Sequence, residues 1–135
     1  MMIPRYYTLL LFIYILSGNM MAQNKANIYT LTPPKEFENI LIEKLFSDSL
    51  SSSFIIWIKK EVKPHKHLFH TENILVLEGS AEMNIEGITH ILNEGSFLII
   101  PPHHVHSVKT TSKIPLKVLS IQSPEFDGTD RVQIE

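Results

Sequence analysis

The chain has 135 residues, of which 44% are hydrophobic and 19% charged, and its formal net charge is −2. This length and composition predict one globular domain, and the scattered lysine and arginine residues do not favour nucleic-acid binding. Because the chain has no cysteine, disulfide bonds, thiolate metal sites and a cysteine nucleophile are excluded.

The N-terminal segment has the pattern of a secretory signal peptide over residues 1–22. Arg5 precedes the apolar run YYTLLLFIYILSG, which is followed by polar residues. We expect cleavage after Ala22, export to the periplasm or the medium, and no membrane attachment of the mature chain. An uncleaved anchor is the alternative, although a spanning helix needs about 20 apolar residues.

The remaining chain is predicted to contain an N-terminal arm (23–39), a β-barrel (40–124) and a tail (125–135) in which no chemistry is recognised. Short β-branched and apolar runs alternate with turns at Gly79, Gly87 and Gly95, and Glu86-Gly87 predicts a two-residue hairpin. The predicted strands are FIIWIKK, ILVLE, AEMNI, ITHIL, FLII and LKVLSIQ. Such a series favours an all-β antiparallel sandwich or small barrel.

Histidines are concentrated in two groups, 65/67/70 and 103/104/106. Strand alternation directs His65 and His67 to one face, Glu72 follows across a turn, and a barrel can bring His106 beside them. Imidazoles with one carboxylate suit Fe, Mn, Ni, Zn or Cu and leave coordination positions open. The alternative is a solvated pair with unrelated loop histidines.

The spacing around the first group also matches a known motif. His65, one residue, His67, four residues, Glu72, six residues and Gly79 resemble the first motif of the cupin superfamily, although Lys59 stands where that motif opens with glycine.

The second cupin motif is matched further along the chain. Gly95, five residues and Pro101, followed by His106, have its spacing, while His103 stands where glycine is usual and Thr110 where asparagine is usual. The resemblance covers residues 40–124 and is to a small single-domain cupin.

The resemblance implies a double-stranded β-helix, or jelly-roll barrel, with a substrate pocket in its interior. It implies His65, His67, Glu72 and His106 as ligands of one divalent transition metal (Fe, Mn, Zn or Ni). It also implies a homodimer, for which residues 23–46 are a candidate exchanged arm.

Two classes of function remain open at this stage. The resemblance implies a metal-dependent dioxygenase, isomerase, epimerase or lyase that acts on a small oxygen-rich molecule, such as a sugar or a hydroxy or keto acid. The alternative is a non-catalytic module that binds metal or sugar. A cavity without a titratable group beyond the ligands would favour the module, and His104 is the one candidate for a catalytic acid or base.

His104 is otherwise a loop histidine at the barrel mouth. We expect His70 and His103 to be solvated and His90 to be exposed on a hairpin. Three further side chains are candidates for either pocket or core: Trp57, Met83 and Phe97.

Overall fold

The structure is a computed structural model that describes residues 27–135. The predicted signal peptide and residues 23–26 of the arm lie outside the described residues. The strands are β1 Ile40–Ser47, β2 Ser52–Ile58, β3 Glu61–His67, β4 Thr71–Glu78, β5 Ala81–Ile85, β6 Ile88–Leu92, β7 Phe97–Ile100, β8 His106–Thr110, β9 Leu116–Ser123 and β10 Arg131–Gln133.

The strands form two antiparallel five-stranded sheets, with the orders β1-β2-β9-β4-β7 and β10-β3-β8-β5-β6. Strands that are consecutive in the chain are often in different sheets, as in a jelly roll, and residues 27–135 contain no helix. The predicted all-β fold is therefore confirmed. No part of residues 27–135 forms a helix long and apolar enough to cross a membrane.

The predicted hairpin at Glu86-Gly87 is also confirmed. Ile85 pairs with Ile88, and both turn residues have positive φ, 51° for Glu86 and 83° for Gly87. This is the backbone of a type I′ turn, whose twist matches that of the flanking strands. The Asn84 side chain accepts a hydrogen bond from the Gly87 N–H, which stabilises the turn.

The main core lies between the two sheets and includes Ile58, Ile74, Val76 and Leu92. A second cluster lies on the opposite face of β2, where Ile55 and Trp57 are buried. Trp57 is thus core rather than pocket, because strand alternation places it and Ile58 on opposite faces.

The N-terminal arm covers this second cluster. Ile28, Leu31 and Phe37 pack against it, and Lys117, 1% exposed, donates hydrogen bonds to the Tyr29 carbonyl and to Glu78. A buried ammonium with two acceptors fixes the start of the described chain on the first sheet.

The tail adds a strand that was not predicted. β10 pairs with β3, placing Arg131 opposite His67 and Gln133 opposite His65. No chemistry was recognised in residues 125–135 from the sequence, and this pairing brings the tail against the histidine cluster.

Candidate metal centre

The four predicted ligands meet at one place in the barrel interior. His65 and His67 end β3, Glu72 is the second residue of β4, and His106 begins β8, where it pairs with His65. All four are buried. One ring nitrogen from each histidine lies within 4.8 Å of the others, and the Glu72 Oε2 lies 3.5 Å from His106 Nε2 and 3.8 Å from His67 Nε2.

Hydrogen bonds on the outer side of each ring select the histidine tautomers. The Nδ1 of His65 lies 2.9 Å from the Lys63 carbonyl, and that of His106 lies 3.0 Å from the His104 carbonyl. A carbonyl oxygen can only accept, so both Nδ1 atoms carry hydrogen. In the neutral ring each Nε2 then keeps its lone pair for a metal.

Glu72 is oriented in the same manner. Its Oε1 accepts hydrogen bonds from the Ser120 hydroxyl at 2.5 Å and from the Gln122 amide at 3.3 Å. The other oxygen, Oε2, is left facing the imidazoles. One carboxylate oxygen is therefore positioned by β9 while the second is available as a ligand.

The protonation states suit a cation. Burial, reinforced by the charge of His106, lowers the pKa of His65 to about 4, and burial lowers the pKa of His67. Burial alone would raise the pKa of Glu72, but contacts with His106 and Ser120 outweigh it and hold that pKa below its ordinary value. At neutral pH these groups are in the deprotonated form that a metal requires.

An unpartnered atom gives an independent indication of the ligand. His106 Nε2 is buried and has no hydrogen-bond partner, an arrangement that costs free energy unless something binds there. Three imidazole nitrogens and one carboxylate oxygen fit Fe, Mn, Zn or Ni. The residues present therefore fit a divalent transition metal, which His65, His67, Glu72 and His106 would hold.

Asp130 is the site residue that the sequence reasoning missed. It is 1% exposed. Its Oδ1 lies 3.3 Å from His67 Nδ1, and its Oδ2 accepts hydrogen bonds from the ring of His70 and from the backbone N–H groups of Phe69 and His70. A carboxylate behind a metal-binding imidazole fixes the orientation of that ring. Asp130 is about 60 residues away in sequence, and no local spacing signals the contact.

His70 was predicted to be solvated, and this was wrong: it is 3% exposed. Its Nδ1 contacts Asp130 and its Nε2 contacts the Glu125 carbonyl. The ring is thus held between the Asp130 carboxylate and a backbone carbonyl of the tail. The Phe126 ring packs edge-on against His67 and His70. These contacts join the tail to the candidate centre.

His104, the predicted acid or base, is not part of the histidine cluster. It precedes the first residue of β8 by two positions and is half-buried, and its Nδ1 contacts the Pro102 carbonyl. It is not among the residues that line the cavity. Its contribution to the centre is its backbone carbonyl, which accepts from His106 Nδ1. His90 and His103 are exposed, as predicted.

A cavity of about 410 Å³ opens from the candidate ligands between the sheets. Its walls are mainly apolar, including Ile56, Ile74, Met83 and Val118, and Gln122 and Arg131 add polar groups. Met83 is therefore a pocket residue, whereas Phe97 is 60% exposed and is not part of the wall. The volume suits a small molecule.

The chain is thus a small double-stranded β-helix in which three histidines and a glutamate line an internal cavity. The Cupin_2 "Cupin domain" family model matches residues 54–122, just over half of the chain. The chain belongs to this cupin family.

Proteins with recognisable similarity are consistent with this assignment. An uncharacterized protein of Aquifex aeolicus is 37% identical over 98 residues, 73% of this chain and 80% of that protein. A mannose-1-phosphate guanylyltransferase of Sinorhizobium fredii is 32% identical over 73 residues, 54% of this chain but 14% of that protein. The crystal structure of a Klebsiella pneumoniae protein with a double-stranded β-helix domain has a TM-score of 0.69 at 19% identity, covering 82% and 96% of the two chains.

Proposed function

We propose that this cupin is a metal-dependent enzyme of the dioxygenase, isomerase, epimerase or lyase type that acts on a small oxygen-rich molecule. The observation that carries the proposal is the convergence of the candidate ligand atoms in the wall of one cavity. A metal that takes six ligands would keep positions for water or substrate beside these four residues.

The residues of the chain would bind and orient rather than transfer protons. A bound divalent metal would polarise a carbonyl or hydroxyl oxygen of the substrate. The apolar walls exclude water from most of the cavity, which strengthens electrostatic contacts there. Glu72 and the three histidines would be engaged with the metal, and the Arg131 guanidinium offers hydrogen-bond donors only.

A non-catalytic metal- or sugar-binding module is favoured by one observation. Among the described residues that line the cavity, the candidate ligands are the only imidazoles and carboxylates, because His104 lies outside it. Within residues 27–135, the cavity then offers no further carboxylate or imidazole as acid or base, which favours reactions that the metal and substrate can complete themselves.

Metal analysis tests metal binding, which the enzyme and the metal-binding module have in common. We expect one Fe, Mn, Zn or Ni per chain in protein purified without added metal or reconstituted afterwards. His67→Ala should lose most of the affinity because it removes one of four ligands. His90→Ala, an exposed histidine in β6, is the matched control and should keep the parent's metal content. Absence of stoichiometric metal, or a metal-free His90→Ala, would contradict the site.

Turnover separates the two functions. With the metal identified, the loaded protein is incubated with sugars and hydroxy or keto acids, and the products and oxygen consumption are followed. We expect conversion of at least one compound by the parent and none by His67→Ala. Tight binding of a compound without conversion would favour the module instead.

We also propose export, based on the segment that ends at Ala22. Expression of the full chain in a bacterial host, followed by fractionation and mass determination of the intact protein, tests it. We expect the mature mass in the exported fraction, and full-length protein held in the membrane would favour the anchor.

We further propose a homodimer with its interface on the outer face of the first sheet. Phe97, Ile99 and Ile121 are exposed there, and Ile99 and Ile121 flank Asn73 on the adjacent strand, beside the region that the arm covers. Light scattering should give the dimer mass for the parent and the monomer mass for Ile99→Lys.

A further inference from the structure

Arg131 lies beside the candidate metal centre. It is directly opposite His67 in the β10–β3 pair, residues in that relation project to the same face, and it lines the cavity. One guanidinium N–H donates to Gln133 at 3.2 Å, and the side chain remains exposed. Most of its five donors are thus available at the mouth of the cavity.

The charge of Arg131 has no partner nearby. Within residues 27–135, no carboxylate lies within 4.0 Å of its guanidinium. Glu72, the acidic residue that lines the cavity, is held by Ser120 and faces the imidazoles. An oxyanion entering the cavity would therefore meet a cation that is not already neutralised.

Gln122 presents a second polar group deeper in the cavity. It is 5% exposed, and its Nε2 donates to Glu72 Oε1 and Ser120 Oγ, both at 3.3 Å. Turning the amide over would place its oxygen against the carboxylate oxygen, so the hydrogen-bond network fixes this orientation. Its Oε1 is then buried without a partner, a costly state that a hydroxyl donor would relieve.

We infer that the cavity takes a small hydroxylated organic acid, whose oxyanion pairs with Arg131 and whose hydroxyl donates to Gln122 Oε1. This inference rests on the proposed function, because both groups adjoin the candidate metal centre. The apolar walls accept the carbon chain. A guanidinium pairs with a carboxylate or a phosphate ester, so both oxyanions are tested.

The first experiment isolates Arg131. Zn²⁺-loaded protein is titrated calorimetrically with 2-hydroxyhexanoate, its neutral amide and hexyl phosphate. We expect an oxyanion to bind about tenfold more tightly than the amide, the size of one charge-assisted contact. Arg131→Met should abolish that preference and Arg131→Lys should retain part of it. Lys109→Met, which removes an exposed cation of β8 outside the cavity, should behave like the parent.

The second experiment isolates Gln122. We expect the parent to prefer 2-hydroxyhexanoate to hexanoate, and Gln122→Met to lose about tenfold in that preference. Zinc affinity is measured for each variant, because Gln122 also supports Glu72. The hydroxyl contact is overturned if Gln122→Met keeps the parent's preference.

Failure of this inference is distinguishable from failure of the proposed function. If the parent binds no metal, the proposed function fails, and the preference for an oxyanion is then measured on the metal-free protein. Absence of oxyanion binding, equal affinity for acid and amide, or an unchanged preference in Arg131→Met would overturn the role of Arg131.

Discussion

Each imidazole of the candidate centre has its outer nitrogen engaged by an acceptor, but the acceptors differ. His65 and His106 each face the backbone carbonyl of the residue two positions earlier in the chain, whereas His67 faces the carboxylate of Asp130 from the tail. A side chain can be replaced without altering the backbone. Mutation of Asp130 can therefore test directly how the orientation of His67 affects the candidate centre.

Asp130→Asn should weaken metal binding by about 10- to 100-fold, the effect seen when an outer partner of a metal-binding histidine is lost. The charge that holds His67 and His70 is removed while the side-chain shape remains. The affinity is measured by competition with a chromogenic chelator. Asp127→Asn is the control, because the hydrogen bonds of that exposed carboxylate within residues 27–135 are to Thr129. Equal losses in both variants would contradict a positioning role.

The buried imidazoles also predict how stability depends on pH. His65 has a pKa of about 4 in the folded protein because of burial and the charge of His106, against about 6.5 when unfolded. Between these values the unfolded chain binds a proton that the folded chain does not. The free energy of unfolding of the metal-free protein should therefore fall as pH decreases from about 6.5 to 4, by up to about 1.4 kcal/mol per pH unit.

Urea denaturation in the presence of a chelator at pH 4.5, 5.5 and 6.5 measures this dependence. His65→Gln should reduce it, because one titrating imidazole is gone while His67, whose pKa burial also lowers, still contributes. The lowered pKa values of Glu72 and Asp130 affect stability in a lower window, where acid protonates the folded carboxylates. A parent whose stability does not change between pH 6.5 and 4.5 would contradict the prediction.

At the scale of the elements, the turns that join the strands differ in how tightly they are packed. Gly79 and Gly87 have nearly the same backbone, with φ of 82° and 83°. A Cβ on Gly87 would meet open space, whereas one on Gly79 would lie 3.0 Å from the Pro115 carbonyl oxygen and 3.2 Å from Leu116 Cα. One glycine is required by conformation alone, and the other by conformation and packing.

Gly87→Ala should lower the free energy of unfolding by about 1 kcal/mol, the cost of a left-handed backbone for a residue with a Cβ. Gly79→Ala should cost at least about twice as much, because backbone around β9 must also shift. Chemical denaturation of the two variants measures the difference. Equal losses would show that the contact with Pro115 and Leu116 relaxes freely.

At the scale of the whole molecule, the candidate centre connects strands of both sheets and the tail. β3 and β8 belong to one sheet, β4 belongs to the other, and Asp130 precedes β10. A ligand common to these elements binds the folded state and not the unfolded chain. It should therefore stabilise the entire barrel rather than one loop.

Removal of the metal should lower the melting temperature by about 10 °C. The basis is a stabilisation of about 2.7 kcal/mol when the free metal is 100 times its dissociation constant, at about 4 °C per kcal/mol for a domain of this size. Calorimetry with and without a chelator measures the shift. His67→Ala should melt at the same temperature in both conditions, and a shift as large as the parent's would place the metal elsewhere.

Much of the fold could be predicted from the sequence alone. Alternating short strands, glycine turns and the Glu86-Gly87 hairpin are local patterns, and local geometry determines their conformation. Strand alternation placed His65 and His67 on one face of a strand. The resemblance to the two cupin motifs then implied Glu72 and His106 as the other candidate ligands. That these four bind a metal stays a prediction.

The tertiary structure alone decided which other groups serve the site. β10 pairs with β3 although more than 60 residues of chain separate them. This pairing places Asp130 behind His67 and turns Arg131 toward the cavity. His70 lies between Asp130 and the Glu125 carbonyl and contacts both. His104, close to a candidate ligand in sequence, precedes β8 and does not line the cavity. Strand alternation acts over a few residues, whereas pairing between distant strands depends on the free energy of the entire barrel.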